Sequence, residues 1–215
     1  MRLLVLLLVL LPLFGRAQEP FRLKADFSLK ATNTAAGDRL TTGTLYYDRN
    51  LGQLIYRIQF PEQATMVLTH DSILYRSELQ RQASPNTAPP ISSVFHLALT
   101  GQLADYGMAA SNSFQLLENG RDGNYIVSTW KPTVAGKTSK VALLQLHGKL
   151  AGVIIYGPNR KPVSRQEFSG YEQFLGSSIP THIRQELLLG DNPSYISLEL
   201  SNIVLNELNE AMYVE

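Results

Sequence analysis

The sequence predicts a mainly β protein, an antiparallel sheet closing toward a barrel or a sandwich and interrupted by one helical insertion. Three observations predict it. Apolar residues recur at every second position in many short segments, turn residues separate those segments at short intervals, and no crossover helix of βαβ type joins any two of them. The chain has no internal repeat.

Residues 1–17 are set apart from this pattern. Met1-Arg2 is a short positive start, Leu3 to Leu11 is an unbroken apolar run, and Gly15-Arg16-Ala17 offers small residues at the positions a signal peptidase reads. The run is short for a bilayer span. The expectation is a signal peptide cut after Ala17, followed by one exported domain over residues 18–215.

The first strand runs from Phe21 to Ala31. Phe21, Leu23, Ala25, Phe27, Leu29 and Ala31 face one way, and Arg22, Lys24, Asp26, Ser28 and Lys30 face the other. Asn33 to Asp38 is a turn, Leu40 to Asp48 a second strand, and Asn50-Leu51-Gly52 turns into a third that carries Leu54, Tyr56, Ile58 and Phe60 on one side. Pro61 ends it, because proline cannot donate to a ladder. Thr65–Thr69 and Ile73–Ser77 read as a hairpin turning at His70-Asp71.

The alternation then stops. Gln82 to Pro90 is rich in Ser, Pro and Asn and reads as a surface loop, after which Ser92 or Ser93 can cap a short helix from Val94 to about Gly101. Strands resume at Phe114–Glu118 and Asn124–Trp130, separated by a turn over Asn119–Gly123. Val141–Leu146 pairs with Leu150–Tyr156 across His147-Gly148-Lys149, and Val163–Phe174, Ile179–Leu189 and Tyr195–Leu205 finish the chain. A twisted, concave sheet with a helix across its open side is a container with a lid.

Composition narrows the function. The chain has no cysteine, so disulfides, thiol nucleophiles, thiolate metal sites and a lipid-modified N-terminal cysteine are all excluded. Of 19 Lys+Arg and 18 Asp+Glu, the signal segment holds Arg2 and Arg16, which leaves 17 against 18 in the exported part. That balance gives no electrostatic footprint for nucleic acid or an anionic membrane. The sequence holds no G-x-S-x-G elbow, H-E-x-x-H, P-loop or dinucleotide fingerprint. His70, His96, His147 and His182 are scattered, none at metal-ligand spacing from another, and each reads as a turn or surface histidine. No enzyme activity, cofactor or metal is expected. The aromatic residues Phe27, Tyr56 and Phe60 have two readings, ordinary core or the lining of a hollow.

Several segments, taken in order, resemble the LolA-type periplasmic lipoprotein carriers. Leu23-Lys24-Ala25-Asp26-Phe27-Ser28 is similar to the opening strand of that family with its buried phenylalanine. Gly43-Thr44-Leu45-Tyr46-Tyr47-Asp48-Arg49 resembles its G-x-L-W-x-x-R segment, and Leu54 to Glu62 its F-x-W-x-Y-x-x-P-E strand. Met66 to Asp71 followed by Ile73-Leu74-Tyr75 resembles its hairpin, Val94 to Leu99 falls where it has a mid-chain helix, and Leu198 to Asn206 is similar to its closing F-S-N-V-x-x-N strand. There are departures. The family has a helix before its first strand, Asn50 stands where a proline commonly follows the arginine, and His70-Asp71-Ser72 replaces an Asp-Gly turn.

The resemblance implies an open antiparallel half-barrel of about eleven strands with a short helical lid. It implies a monomeric, soluble periplasmic carrier that holds the acyl chains of lipoproteins, or other lipid cargo, in an apolar cavity and delivers them to the outer membrane. Its partners would be an inner-membrane release complex and an outer-membrane acceptor. The implied cavity residues are Phe27, Leu45, Tyr47, Leu54, Tyr56, Ile58, Phe60, Met66 and Leu68. The implied lid residues are Val94, Phe95, Leu97, Ala98, Leu99 and Leu103, which also fit a helix simply packed on a sheet. Arg49 aligns with an arginine that latches the lid; its other reading is a solvated turn arginine. A lipid- or peptide-sensing envelope module on the same scaffold, a structural β protein with a filled core and, last, an envelope hydrolase are the competing functions.

Overall fold

The computed structural model describes residues 21–33, 37–68, 72–77, 81–85, 108, 114–134, 138–174, 177–188 and 192–206. The signal segment, the expected lid helix with its six named residues, the hairpin tip at His70-Asp71, and His96 lie outside the described residues.

The described strands are β1 (Arg22–Thr32), β2 (Arg39–Asp48), β3 (Gln53–Phe60), β4 (Ala64–Leu68), β5 (Ser72–Ser77), β6 (Arg81–Pro85), β7 (Phe114–Asp122), β8 (Tyr125–Pro132), β9 (Lys140–Leu146), β10 (Lys149–Tyr156), β11 (Pro162–Phe174), β12 (Ser177–Leu187) and β13 (Ser194–Leu205). They form one sheet in the order β6-β5-β4-β3-β2-β1-β13-β12-β11-β10-β9-β8-β7. Two meanders therefore flank a central antiparallel seam where the first strand pairs with the last, from Leu23↔Leu205 to Thr32↔Tyr195. The sheet stays open, with β6 and β7 as its edges. It curls without closing, and five register irregularities help. They fall at Lys24/Asp26, Thr42/Gly43, Leu116/Glu118, Leu150/Gly152 and Ile155/Tyr156. An extra residue on one strand bends that strand and deepens the local twist.

Two segments correct the sequence expectation. Arg81–Pro85 falls at the start of the stretch read as a loop, yet it is a strand paired with β5 from Arg76↔Arg81 to Ser72↔Pro85. An edge strand has a neighbour on one side only, so it tolerates the proline and polar residues that argued against it. In β7 the ladder continues to Asp122↔Tyr125, through residues 119–122 that read as a turn. The turn is only Gly123-Asn124, with Gly123 at φ 57°. A two-residue hairpin loop needs little more than that one left-handed residue. The His147-Gly148 connection is also a two-residue loop, with both residues left-handed at φ 51° and 74°.

The start of the sheet is tied down by Asp48, which is only 1% exposed. Its Oδ1 accepts from the backbone N–H groups of Asn50 (2.8 Å) and Leu51 (3.1 Å), which folds the β2–β3 turn. Its Oδ2 accepts from Arg22 Nε at 2.8 Å. The backbone N–H of Arg22 in turn donates to Asn206 Oδ1 (3.0 Å), and the Asn206 N–H donates back to the Arg22 carbonyl (2.9 Å). Asp48 and Arg22 together thus join a turn, the first strand and the end of the last. Hydrogen bonds to a charged group contribute about 1.5–3 kcal/mol each.

Gly43 marks a second constraint. It lies opposite Phe27 on β1 and Ile58 on β3, next to a register irregularity. A Cβ added there would sit 2.0 Å from the Arg57 carbonyl oxygen, so the two backbones can approach this closely only at a glycine. Gly43→Ala is expected to destabilise the fold by about 1–3 kcal/mol in denaturant titration. Gly120→Ala, on an edge strand where nothing lies within 4 Å of the added carbon, is the matched control and should change little.

Candidate functional site

The sheet has one dry face, and its other face is polar across the central seam. On β1, Leu23, Ala25 and Phe27 are buried while Asp26 is exposed. Asp26 accepts hydrogen bonds from Asn202 Nδ2 (2.8 Å) on β13 and Thr44 Oγ1 (3.3 Å) on β2, a polar ladder running across the central seam on the outer face. The dry face is broad. One apolar cluster takes in Leu45 and Tyr47 of β2, Leu54 and Tyr56 of β3, Leu68 of β4, Trp130 of β8, Leu143 of β9, Val153 of β10, Phe168 of β11, Ile183 of β12 and Leu198 of β13. An apolar face that runs across the sheet from β4 to β8, interrupted by a buried polar patch on β11 and β12, is the candidate site.

Eight of the nine cavity residues expected from the sequence lie in this cluster or pack against it. Phe27, Leu45, Tyr47, Leu54, Tyr56 and Leu68 are buried in it, and Ile58 and Met66 are partly buried against it. Phe60 is the exception. Strict alternation places it with Tyr56 and Ile58, but it is 51% exposed at the end of β3, just before Pro61. A smaller cluster of Tyr46, Ile55 and Val67, with Leu74 packed against it, occupies the opposite face of β2 to β5.

Aromatic contacts organise the first half of the site. The Phe27 and Tyr56 rings meet edge to face, with centroids 5.1 Å apart and planes at 88°. They belong to strands separated by β2, and Gly43, opposite Phe27, has no side chain to intervene. Phe21 and Tyr47 meet edge-on at 6.2 Å. The Arg49 guanidinium lies 4.9 Å over the Phe21 ring, and the Arg49 N–H donates to the Phe21 carbonyl at 3.0 Å. Arg49 therefore sits at the rim, beside the entry to β1. Burial pushes the Tyr47 phenol up to about 12, partly opposed by the Arg49 charge and supported by Asp48, and burial alone pushes Tyr56 upward.

Residues that the sequence did not single out complete the face. Met108 is 4% exposed and joins the same cluster. It is the one described residue between Pro85 at one sheet edge and Phe114 at the other. On β11 and β12 the inward face turns polar: Ser164, Gln166 and Gln185 are all buried. Gln166 and Gln185 lie directly opposite each other across the two strands. Gln185 Nε2 donates to Ser164 Oγ at 2.8 Å. Both polar atoms of Gln166, and Oε1 of Gln185, have no hydrogen-bond partner among the described residues. The available sequence signal was phase: Ser164 and Gln166 share the period of Phe168, and Gln185 that of Ile183.

Two of the four histidines, His147 and His182, are among the described residues. His147 is exposed in its hairpin turn, and His182 is exposed on β12 with Nδ1 2.9 Å from Thr181 Oγ1. Among the described residues, no group of three or more His, Asp or Glu could hold a metal ion.

Solved structures share this architecture. A LolA superfamily protein from Nitrosomonas europaea is similar with a TM-score of 0.60 and 17% identity, over 93% of this chain and 91% of that one. A putative outer-membrane lipoprotein-sorting protein domain from Vibrio parahaemolyticus gives 0.62 and 11%, over 89% and 91%. A DUF1329 family protein from Desulfovibrio piger gives 0.63 and 10%, over 90% of each chain. No protein-family model matches the sequence, and no curated protein matches it. At these identities the likeness is one of fold: the chain has the LolA-like fold.

The buried phenols set an alkaline limit. In the unfolded chain a tyrosine ionises near its ordinary value of 10.0, whereas Tyr47 in the folded chain holds its proton to about 12. Between those values the unfolded state binds fewer protons, so stability is fully present below about pH 10 and is lost as pH rises toward 12. Chemical denaturation across that window should show a loss on the order of 2 kcal/mol from this residue. Tyr47→Phe should shallow the slope.

Proposed function

We propose that this chain is an exported, non-enzymatic carrier of acyl chains, and that the acyl chains of lipoproteins bound for the outer membrane are its cargo. The observation that carries the reading is the broad apolar inner face of an open sheet, one cluster reaching from β4 to β8. The fold, which a LolA superfamily protein and an outer-membrane lipoprotein-sorting domain share, supports it. The apolar run at Leu3–Leu11 before Ala17 supports export to the periplasm.

The energetics fit transport better than storage. Moving an acyl chain from membrane to water costs about 0.8 kcal/mol per methylene, so multiply acylated cargo cannot cross the aqueous space unaided. A carrier has to offset most of that cost and still release its load. A broad surface of leucine, valine, isoleucine and aromatic side chains does so without directional bonds that would fix one pose. In this reading Phe27, Leu45, Tyr47, Leu54, Tyr56, Ile58, Met66 and Leu68 form one side of the binding surface. The apolar residues Val94, Phe95, Leu97, Ala98, Leu99 and Leu103 cover it, and Arg49 at the rim latches the cover. Loading and delivery would use an inner-membrane release complex and an outer-membrane acceptor.

Ile58 is the better probe of uptake, because it is only partly buried whereas Tyr56 is packed on all sides. Ile58→Glu should weaken binding of a fluorescent long-chain acyl probe at least about tenfold while leaving the far-ultraviolet circular dichroism of the sheet unchanged. A folded variant with wild-type uptake removes Ile58 from the surface. Arg49→Leu should alter the rate of probe transfer to acceptor vesicles more than the affinity, and equal transfer rates would end the latch role. Mass spectrometry of the protein purified from its native envelope should find co-purifying acylated species.

A further inference from the structure

The inner face has a polar interruption that a store for plain hydrocarbon does not need. Gln166 is 2% exposed and Gln185 is 1% exposed, and they face each other across β11 and β12. Their surroundings are apolar: Val153 lies opposite Gln166 on β10, Ile196 lies opposite Gln185 on β13, and Phe168 and Ile183 form the next cross-strand pair. Leaving a buried carboxamide unpaired is expensive, and native structures rarely do it without a reason.

The open positions can be read as a donor and acceptor inventory. Gln185 uses its Nε2 on Ser164 Oγ, which leaves its Oε1 open. Gln166 leaves both Nε2 and Oε1 open. Whichever way each carboxamide faces, at least one donor and one acceptor remain, because Gln166 supplies one of each. A hydrocarbon satisfies neither. An ester offers only acceptors. A carboxylate would be a buried charge, with none of the polar side chains in this patch (Ser164, Gln166 and Gln185) carrying a positive charge to meet it. An amide offers one N–H and one carbonyl and carries no charge.

We propose that Gln166 and Gln185 form a polar subsite that reads the amide linkage of an N-acylated guest, while the flanking apolar face takes its hydrocarbon chain. The assignment rests on the carrier reading and deepens it. It specifies the chemical class of the guest, an amide-linked acyl chain, and fixes where along the sheet the linkage stops.

The test uses two probes that differ only by N–H in place of an ester oxygen, N-methylpalmitamide and methyl palmitate, titrated calorimetrically into the full chain and into Gln166→Met, which keeps the side-chain length and removes both polar atoms. The wild type is expected to bind the amide at least about tenfold more tightly than the ester, and Gln166→Met to bind both alike. Its thermal midpoint is expected to stay level or rise, since an unpaired buried amide is gone. Equal affinity of the wild type for both probes would mean that ordered water satisfies the pair, and it would overturn the subsite while leaving the carrier standing. A preference that survives in Gln166→Met also overturns it. Failure of the wild type to bind either probe overturns the subsite and the carrier reading together. The wild-type comparison decides even if the variant does not fold.

Discussion

The pairing of the first strand with the last is the constraint on which the architecture depends. With β1 and β13 hydrogen-bonded at the centre, the two meanders extend outward in opposite directions, and the strands that end them become the two edges. Sequence continuity then requires the chain between Pro85 and Phe114 to pass from one edge to the other. Met108, buried in the inner cluster, shows that this passage touches the dry face at that residue. The Arg22–Asp48 pair and the reciprocal Arg22–Asn206 bonds hold the seam at one end. An open sheet with a dry face and no closing strand pair needs something other than its own ladder to shield that face.

Much of the fold was legible because period-two alternation is a direct imprint of one-sided burial. From Leu23 to Phe27 every inward position is buried apolar, and Asp26 between them bonds Asn202 and Thr44 of the neighbouring strands on the outside. Eight of the nine residues that the resemblance named as cavity lining lie in or against one apolar cluster. The alternation failed where burial is not one-sided. β6 and β7 are edges, and β7 is exposed along nearly its whole length, so no apolar period marks its full extent. Phe60 failed for a different reason: the register irregularity at Thr42/Gly43 puts one extra residue of β3 between Ile58 and Phe60, so the alternation does not carry through to it.

The second half of the site was harder to read than the first. Trp130, Leu143, Val153, Ile183 and Leu198 are inward and buried, yet the strands that carry them look in sequence like ordinary core. Only the joining of both halves into one cluster shows that they belong to the same surface. Gln166 and Gln185 were hidden more completely. A polar residue in phase with apolar neighbours breaks an alternation, and a broken alternation normally counts against burial. Sequence patterns report the average environment of a strand, so they discard the single positions where burial and polarity conflict.

That conflict separates a surface for holding from a surface for filling. Side chains evolved only to pack against one another would gain from a leucine or methionine at position 166, where the carboxamide now lies 2% exposed with no hydrogen-bond partner among the described residues. Each orphaned polar atom lowers the stability of the empty protein, by about 1–3 kcal/mol for a buried group. A guest that meets those atoms recovers that free energy on entry and gives it up again on release. The apolar area supplies affinity in proportion to chain length, whereas the glutamine pair responds to the chemistry at one point on the chain. A carrier that must accept one kind of acylated molecule in the presence of membrane lipid needs both properties, because hydrocarbon alone cannot tell its cargo from the bilayer it is taken from.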